Sequence, residues 1–463
     1  MCGIVGYVGK ETCANILVDT LKKLEYRGYD SAGIALFEDN KIKTIKAMGK
    51  ISEGLVPKLA EQNGLTATCG IGHTRWATHG EPSDINSHPI GNGRVCIVHN
   101  GIIENYRELK EFLISKGYGF ESETDTETVA KLIDFYYNGD PIEAITRAIA
   151  DIEGAYALGI LFREHKNKIF AIRKESPLIV GVGKSETLIA SDVTAILETT
   201  NQYYLLEHNE IAIIDIDGVK FIDIHGTKLN KQLQTANWDI AAAQKGGFEH
   251  FMLKEIHEQP TAIKNTISPR IKNGLIDFSE CELTDEKIRN YNRIYIVGCG
   301  SAMHSGLVGK SLIESLARIP VVVEIASEFR YQNPLVTDKD LVIIISQSGE
   351  TADTLAALKL ANERGADTLA IVNVVGSSIA RESKMVMYTN AGPEISVCST
   401  KGYAVQVAFM YLLAFKIAHA KGNIFDDKYH ELISDLIQIP DIIKGCIENK
   451  EEYQFVASKI MNA

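Results

Sequence analysis

Apolar positions along this chain follow two rhythms. Over roughly the first 230 residues, short β-branched runs and helical patterns come in mixed order. "RVCIVHNG" (94–101) predicts a strand that ends in an Asn-Gly turn. Asn105 and Glu108 then stand as a capping pair before "YRELKEFLISKG", with Gly117 as the helix stop. Thr124 and Glu127 repeat that start signal before "TETVAKLIDFYY". Further strands are predicted at "AYALGILF" (155–162), "KIFAIRK" (168–174) and "EIAIIDID" (210–217). The strand pattern fades in "LQTANWDIAAAQKGGF" (233–248), which reads as a linker.

From about residue 290 strands and helices alternate regularly. "RIYIVG" (293–298) precedes a helix from about Met303 to Leu316, and "VVVEIA" (321–326) follows Pro320. "LVIIIS" (341–346) leads into "TADTLAALKLANERG", and "TLAIVN" (368–373) and "KMVMYTN" (384–390) complete the set. Nearly continuous Val/Ile strands predict a parallel sheet covered by helices on both faces. Ligands of such sheets bind beyond the carboxyl ends of the strands. Two loops in that position are rich in small polar residues, "GCGSAMHSG" (298–306) and "SQSGET" (346–351). After Ile424 the pattern is helical to the last residue, with no closing strand or cap.

Composition narrows the class. A chain of 463 residues exceeds one hydrophobic core, so two or three domains are expected. Its 45% hydrophobic and 23% charged residues are ordinary for a globular protein. A net charge of −12 argues against general affinity for nucleic acid or an anionic membrane surface. No uninterrupted apolar run of about 18 residues is found, so no membrane-spanning helix is expected. The eight cysteines (2, 13, 69, 96, 281, 299, 398, 446) form no C-x-x-C pair, which favours free thiols in a reducing cytoplasm.

The chemistry begins at "MCGIVGYVG". Lys10 and Glu11 interrupt the apolar run too early for a secretory leader. If Met1 is removed, Cys2 carries a thiol and a free α-amine on one residue. An α-amine has a pKa of about 7.7–8.0, so a useful fraction is neutral at pH 7 and can take the thiol proton. In "HTRWATHG" (73–80), Arg75 offers a planar fork suited to a carboxylate, and Thr78 and His79 add polar groups. "HNG" (99–101) could supply an oxyanion hole from Asn100 and Gly101, or be a plain turn. Asp125 could bind an ammonium, or cap a helix. His73, His79, His88 and His99 are too irregularly spaced to read as metal ligands. "LIVGVGKSE" lacks the first glycine of a P-loop, and Met303 takes the third-glycine position of a dinucleotide fingerprint. "SQSGET" instead offers hydroxyls and free N–H groups to a phosphate at a helix start.

Together, "MCGIVGYVG", "EYRGYDSAGIA" (25–35), "GHTRWATHG", "NSHPI", "VHNGIIENY" and "SETDTE" resemble a class II glutamine amidotransferase domain. "SQSGET" and "NAGPEISVCSTK" resemble a sugar-isomerase (SIS) domain, and the order of motifs resembles the glutamine–fructose-6-phosphate aminotransferase family along essentially the whole chain. That resemblance implies an N-terminal-nucleophile hydrolase sandwich in four α-β-β-α layers, followed by a flavodoxin-like α/β/α SIS domain. The implied divisions are a glutaminase domain over 1–232, a linker over 233–250, the SIS domain with leading helices over 251–424, and a helical segment over 425–463. The implied reaction converts fructose 6-phosphate and glutamine to glucosamine 6-phosphate and glutamate, the first step of hexosamine synthesis, without metal or organic cofactor.

By the same resemblance Cys2 attacks the glutamine amide, giving a thioester and ammonia, with Asn100 and Gly101 as oxyanion donors. Arg75 and Asp125 grip the α-carboxylate and α-amine of glutamine, with Thr78 and His79 nearby. Trp76 acts near the ammonia passage and Arg27 in a loop covering the site. Ser346, Gln347, Ser348 and Thr351 hold fructose 6-phosphate, beside Ser301, Val397 and Ser399. Ala302 stands where many relatives carry a hydroxyl. The resemblance also implies a homodimer for the full-length enzyme. The family's second SIS domain, with its Schiff-base lysine, has no counterpart here, so the expectation is a fragment that hydrolyses glutamine without making amino sugar. Two rival readings are a glutaminase head serving a phosphoribosyl or aspartyl acceptor, and a SIS regulator that only binds sugar phosphate.

Overall fold

The computed structural model describes residues 2–62, 64–77, 79–91, 93–236 and 245–461. It divides into two compact units, Met1–Ile240 and Ala241–Ala463. The first unit opens with β1 (Gly3–Val8), α1 (Cys13–Lys22), β2 (Ser31–Glu38), β3 (Lys41–Met48), a short α2 (Val56–Ala60) and β4 (Cys69–Arg75). Next come β5 (Ile90–Gly91), β6 (Val95–Ile103), α3 (Tyr106–Ser115), α4 (Asp125–Tyr136), α5 (Pro141–Asp151), β7 (Gly154–Phe162) and β8 (Ile169–Lys174). The remainder is strand: β9 (Ile179–Val182), β10 (Thr187–Ala190), β11 (Gln202–Leu205), β12 (Glu210–Asp215), β13 (Gly218–Asp223), β14 (Lys228–Leu229) and β15 (Gln234–Thr235).

These strands form two antiparallel sheets, one ordered β15-β11-β9-β10-β1-β4-β2-β3 and the other β14-β13-β12-β8-β7-β6-β5. Period-two alternation builds the layers. Along β4, Cys69 and Ile71 face a core shared with Cys96 and Val98 of β6, which is the layer between the sheets. The other face of β4 carries Gly70 and Gly72, whose lack of side chains lets Leu17 and Leu21 of α1 lie close. The outer face of β6, with Val95 and Ile97, packs on α4 and α5 through Val129, Ile133 and Ile145. Helix, sheet, sheet and helix therefore stack in the α-β-β-α order of the sequence expectation.

The second unit begins with α6 (Phe251–Ile267), a small ribbon of β16 (Ile271–Lys272) and β17 (Leu275–Ile276), and α7 (Asp285–Asn290). It continues through β18 (Arg293–Gly298), α8 (Ser301–Leu316), β19 (Val321–Ile325), α9 (Ala326–Phe329), β20 (Asp340–Ser346), α10 (Ala352–Glu363), β21 (Asp367–Val372), α11 (Ser378–Glu382) and β22 (Met385–Tyr388). Helices α12 (Lys401–Ala420), α13 (Asp426–Glu448) and α14 (Lys450–Ile460) end it. The sheet runs β19-β18-β20-β21-β22 and every pairing is parallel. Both faces are apolar: Ile294 and Ile296 enter one core, Tyr295 and Val297 the other. That explains why these strands read as unbroken Val/Ile runs.

Four expectations need correction. Asn100-Gly101 is no turn, because β6 continues to Ile103 and Gly101 stays paired with Tyr156. Gly101 absorbs the distortion at φ +138°, where a side chain would come within 2.0 Å of the Ala155 carbonyl oxygen. The capping pair before α3 is not formed either; the Asn105 amide donates to Asp151 O at 2.8 Å and accepts from Glu153 N at 3.1 Å. Gln234 and Thr235, read as linker, pair with Tyr203 and Gln202 of β11. The rest of that linker, over 237–244, lies outside the described residues. Finally, α12 is long and apolar enough to cross a membrane by length and composition. Its apolar residues, including Val405, Phe409, Leu412 and Leu413, are buried in the core of the second unit.

Candidate active site

Cys2 stands immediately before β1, so its place is fixed by the β1–β4 pairing, in which Gly3 meets Thr74. The thiol Sγ accepts from Trp76 N at 3.2 Å and donates to Trp76 O at 3.5 Å. Burial pushes the Cys2 thiol pKa up, while the Trp76 N–H and the positive charge of Arg75 pull it the other way. Asn100 reaches Cys2 from the other sheet, its Nδ2 donating to Cys2 O at 3.0 Å. An even position on β6, Asn100 falls on the same face as Cys96 and Val98 and so enters the inter-sheet layer.

A small pocket opens beside Cys2, lined by Cys2, Arg75, Trp76, His79, Gly101 and Asp125 among others. Arg75 ends β4 and is 3% exposed. Its Nη2 donates to the His79 and Gly80 carbonyls, the latter at 2.9 Å, so the fork also shapes its own loop. Asp125 opens α4, is 5% exposed and accepts from Ile103 N at 3.0 Å. A buried cation and a buried carboxylate thus face one pocket, the arrangement that holds a zwitterionic amino acid by both charges. Trp76 is half-exposed and meets Tyr29 edge-on at 5.7 Å. His79 meets Tyr106 likewise at 5.4 Å. Thr78 lies outside the described residues. Arg27 does not line the pocket: its Nη1 pairs with Asp192 at 2.8 Å and donates to Ser191 O at 3.3 Å.

Three further residues meet here that sequence reasoning passed over except as poor metal ligands. His73 lies on β4 between Ile71 and Arg75 and is wholly buried. Its Nε2 is 2.9 Å from His99 O and 3.0 Å from Asn100 Oδ1. His88 lies against it, ring centroids 4.3 Å apart. His99 faces the helix side of β6 and bonds Thr126 Oγ1 through Nδ1 at 3.0 Å. Burial lowers the pKa of all three, that of His73 to about 3, so the rings are neutral near pH 7. The available signal was alternation: His73 and Arg75 continue the inward face begun by Cys69 and Ile71. Asp30 was missed as well; it accepts from Ala77 N at 2.8 Å and supports the loop below Trp76.

In the second unit the strand order reverses between β18 and β20, the switch point at which doubly wound sheets bind ligands. The "SQSGET" loop leaves β20 there, and Ser301 opens α8 after the neighbouring β18. Ser346 is buried; its Oγ accepts from Gly349 N at 3.0 Å and bonds Thr351 Oγ1 at 3.2 Å. Ser348 Oγ accepts from Glu350 N at 3.2 Å, and Gln347 O accepts from Asn373 N at 3.1 Å. Gly349 has φ +67°, and a Cβ there would be 2.0 Å from Ser377 Oγ. The loop therefore curls back on itself with hydroxyls and main-chain N–H groups at the start of α10, a ready anion cradle. Val397 and Ser399 lie beyond β22 in a segment that precedes α12. There Ser399 Oγ donates to Glu394 at 3.1 Å and Val397 is exposed. Sequence reasoning also missed the clamp on that segment: Glu255 of α6 accepts from Ile395 N at 2.6 Å and Ser396 N at 3.0 Å.

Residues 73–198 match the glutamine amidotransferase domain family, and residues 287–416 match the SIS domain family. The whole chain is 53% identical over 465 residues to the isomerizing glutamine–fructose-6-phosphate aminotransferase of Caldanaerobacter subterraneus subsp. tengcongensis and spans 76% of that protein. Identity is also 53% to the enzyme of the same name from Clostridium tetani, over 99% of this chain and 76% of that one. Among solved structures, the C-terminal domain of glucosamine-fructose-6-phosphate aminotransferase from Francisella tularensis matches 46% of this chain and 60% of its own at 36% identity, with a TM-score of 0.45.

Proposed function

The chain belongs to the family of isomerizing glutamine–fructose-6-phosphate aminotransferases, and from that premise we propose how its two units divide the reaction. The family's activity is glutamine-dependent amino sugar synthesis, with glutamine as nitrogen donor and fructose 6-phosphate as acceptor.

In the first unit, with Met1 removed, the α-amine of Cys2 takes the thiol proton and Sγ attacks the side-chain amide carbon of glutamine. Negative charge develops on the amide oxygen. Asn100 Nδ2 meets it with its second hydrogen, beside the one donated to Cys2 O. The Gly101 backbone is the other donor. The protonated amine then gives its proton to the leaving nitrogen, ammonia departs, and water hydrolyses the thioester to glutamate. Arg75 and Asp125 hold the α-carboxylate and α-amine of the substrate, His79 stands beside them, Thr78 is assigned to the same group, Trp76 borders the route of ammonia, and Arg27 belongs to the loop covering the site. In the second unit Ser346, Gln347, Ser348 and Thr351 take the phosphate, with Ser301, Val397 and Ser399 along the sugar. A homodimer in a reducing cytoplasm belongs to the same proposal, supported by eight free cysteines.

One observation carries the reading: a thiol, a buried arginine and a buried aspartate line one pocket, and a cross-sheet amide donates to the backbone of the thiol residue. Incubation with glutamine alone tests it. Glutamate should form with the wild-type chain and not with Cys2→Ala; equal release by both would contradict the assignment.

A further inference from the structure

We propose that His73 is a positioning residue for glutamine hydrolysis, fixing the Asn100 amide with its nitrogen toward Cys2 and its oxygen away. The proposal rests on the reading of Asn100 as oxyanion donor and adds the group that makes Asn100 a donor. His99 O, 2.9 Å from His73 Nε2, is a main-chain carbonyl and can only accept. Nε2 therefore carries the hydrogen, and the neutral ring is the Nε2–H tautomer. The same N–H faces the Asn100 side chain at 3.0 Å, so the Asn100 atom on that side must be its oxygen. The amide nitrogen is then turned to Cys2 O, 3.0 Å away. Flipping the amide would set N–H against N–H at His73 and oxygen against oxygen at Cys2. Both contacts would turn repulsive at once, and the one at His73 is buried away from water.

The placement of His73 suits this role and no direct one. It projects from β4 of one sheet to Asn100 on β6 of the other, so it ties the sheet bearing the nucleophile to the sheet bearing the donor. It does not line the pocket. The His88 ring packs against it, centroids 4.3 Å apart.

A double-mutant cycle on the full chain tests the proposal, with kcat and KM for glutamine hydrolysis as readout. His73→Phe keeps a planar ring and removes the N–H; kcat should fall about 10- to 100-fold with KM nearly unchanged. His73→Gln, which returns an amide N–H, should recover part of the loss. In the Asn100→Ala background, His73→Phe should cost less than about twofold more, because the residue it acts through is gone. Alkylation of Cys2 by iodoacetamide, which needs no oxyanion donor, should keep its rate in every variant. Equal losses of kcat in both backgrounds, or full activity in a folded His73→Phe, would overturn the proposal. Should His73→Phe fail to fold, His73→Leu, which also lacks the N–H, carries the same cycle. Hydrolysis lost in Cys2→Ala but untouched in Asn100→Ala would overturn the oxyanion reading itself, and this proposal with it.

Discussion

In the first unit the groups proposed to react lie between two sheets, whereas in the second the groups proposed to bind an anion stand on loops at the rim of one sheet. The thiol site is assembled from distant parts of the chain: Cys2, Arg75, Asn100 and Asp125 come from the segment before β1, the end of β4, the middle of β6 and the start of α4. Most of its polar groups are buried, and their partners are largely main-chain groups of the flanking strands and loop, as with Ile103 N on Asp125 and the His79 and Gly80 carbonyls on Arg75. The hydroxyl loop is local. Six consecutive residues supply its donors, and the glycine that lets it turn sits among them. A buried site gains electrostatic strength from low dielectric and is exposed to any change that charges or unpairs one group. A rim loop works through backbone geometry and tolerates solvent.

The contrast can be broken most sharply at the nucleophile. Cys2→Ala should lower glutamate release at least about a thousandfold. Fructose 6-phosphate binding by calorimetry should be unchanged, as should the thermal midpoint within a few degrees. Asn100→Ala should lower kcat for glutamine about 10²- to 10³-fold, the cost of one oxyanion donor, with little change in KM.

Acid should act on the first unit through its buried histidines. His73 has a pKa of about 3 in the folded chain against about 6.5 unfolded. Between those values the unfolded chain binds the proton and the folded one does not, so stability is full above about pH 6.5 and falls as pH drops toward 3. At pH 5 this ring alone removes about 2 kcal/mol. Trp76 lies in the first unit, so urea unfolding followed by tryptophan fluorescence reads that loss. The second unit's histidines are all at least partly exposed, and a smaller drop is expected there. Smallest is the rim effect: Ser346→Ala removes the acceptor for Gly349 N and the bond to Thr351. Fructose 6-phosphate binding should weaken about tenfold with glutamine hydrolysis untouched.

The same contrast explains what could be read from the sequence. The parallel sheet was legible because buried strands are unbroken apolar runs, and the "SQSGET" loop because its hydroxyls and turning glycine are contiguous. Arg75, Asn100 and Asp125 stood out through residue type and the family resemblance. Their alternatives, a turn at Asn100-Gly101 and a helix cap at Asp125, were local readings. A strand that passes straight through Asn-Gly depends on pairing with β7, which no local pattern contains. His73 escaped for a related reason, since its partners are 26 and 27 residues away on the opposite sheet. Arg27 is another long-range case: its guanidinium is engaged by Asp192, 165 residues on.

The most direct test of the account is covalent trapping. The chain is incubated with a glutamine analogue bearing an electrophilic ketone in place of the side-chain amide, and intact mass, peptide mapping and glutamate release are followed together. The account predicts one adduct, located on Cys2 among the eight cysteines, forming in step with the loss of glutamine hydrolysis and slowed by excess glutamine. An adduct on another cysteine, or hydrolysis that persists after Cys2 is fully modified, would contradict it.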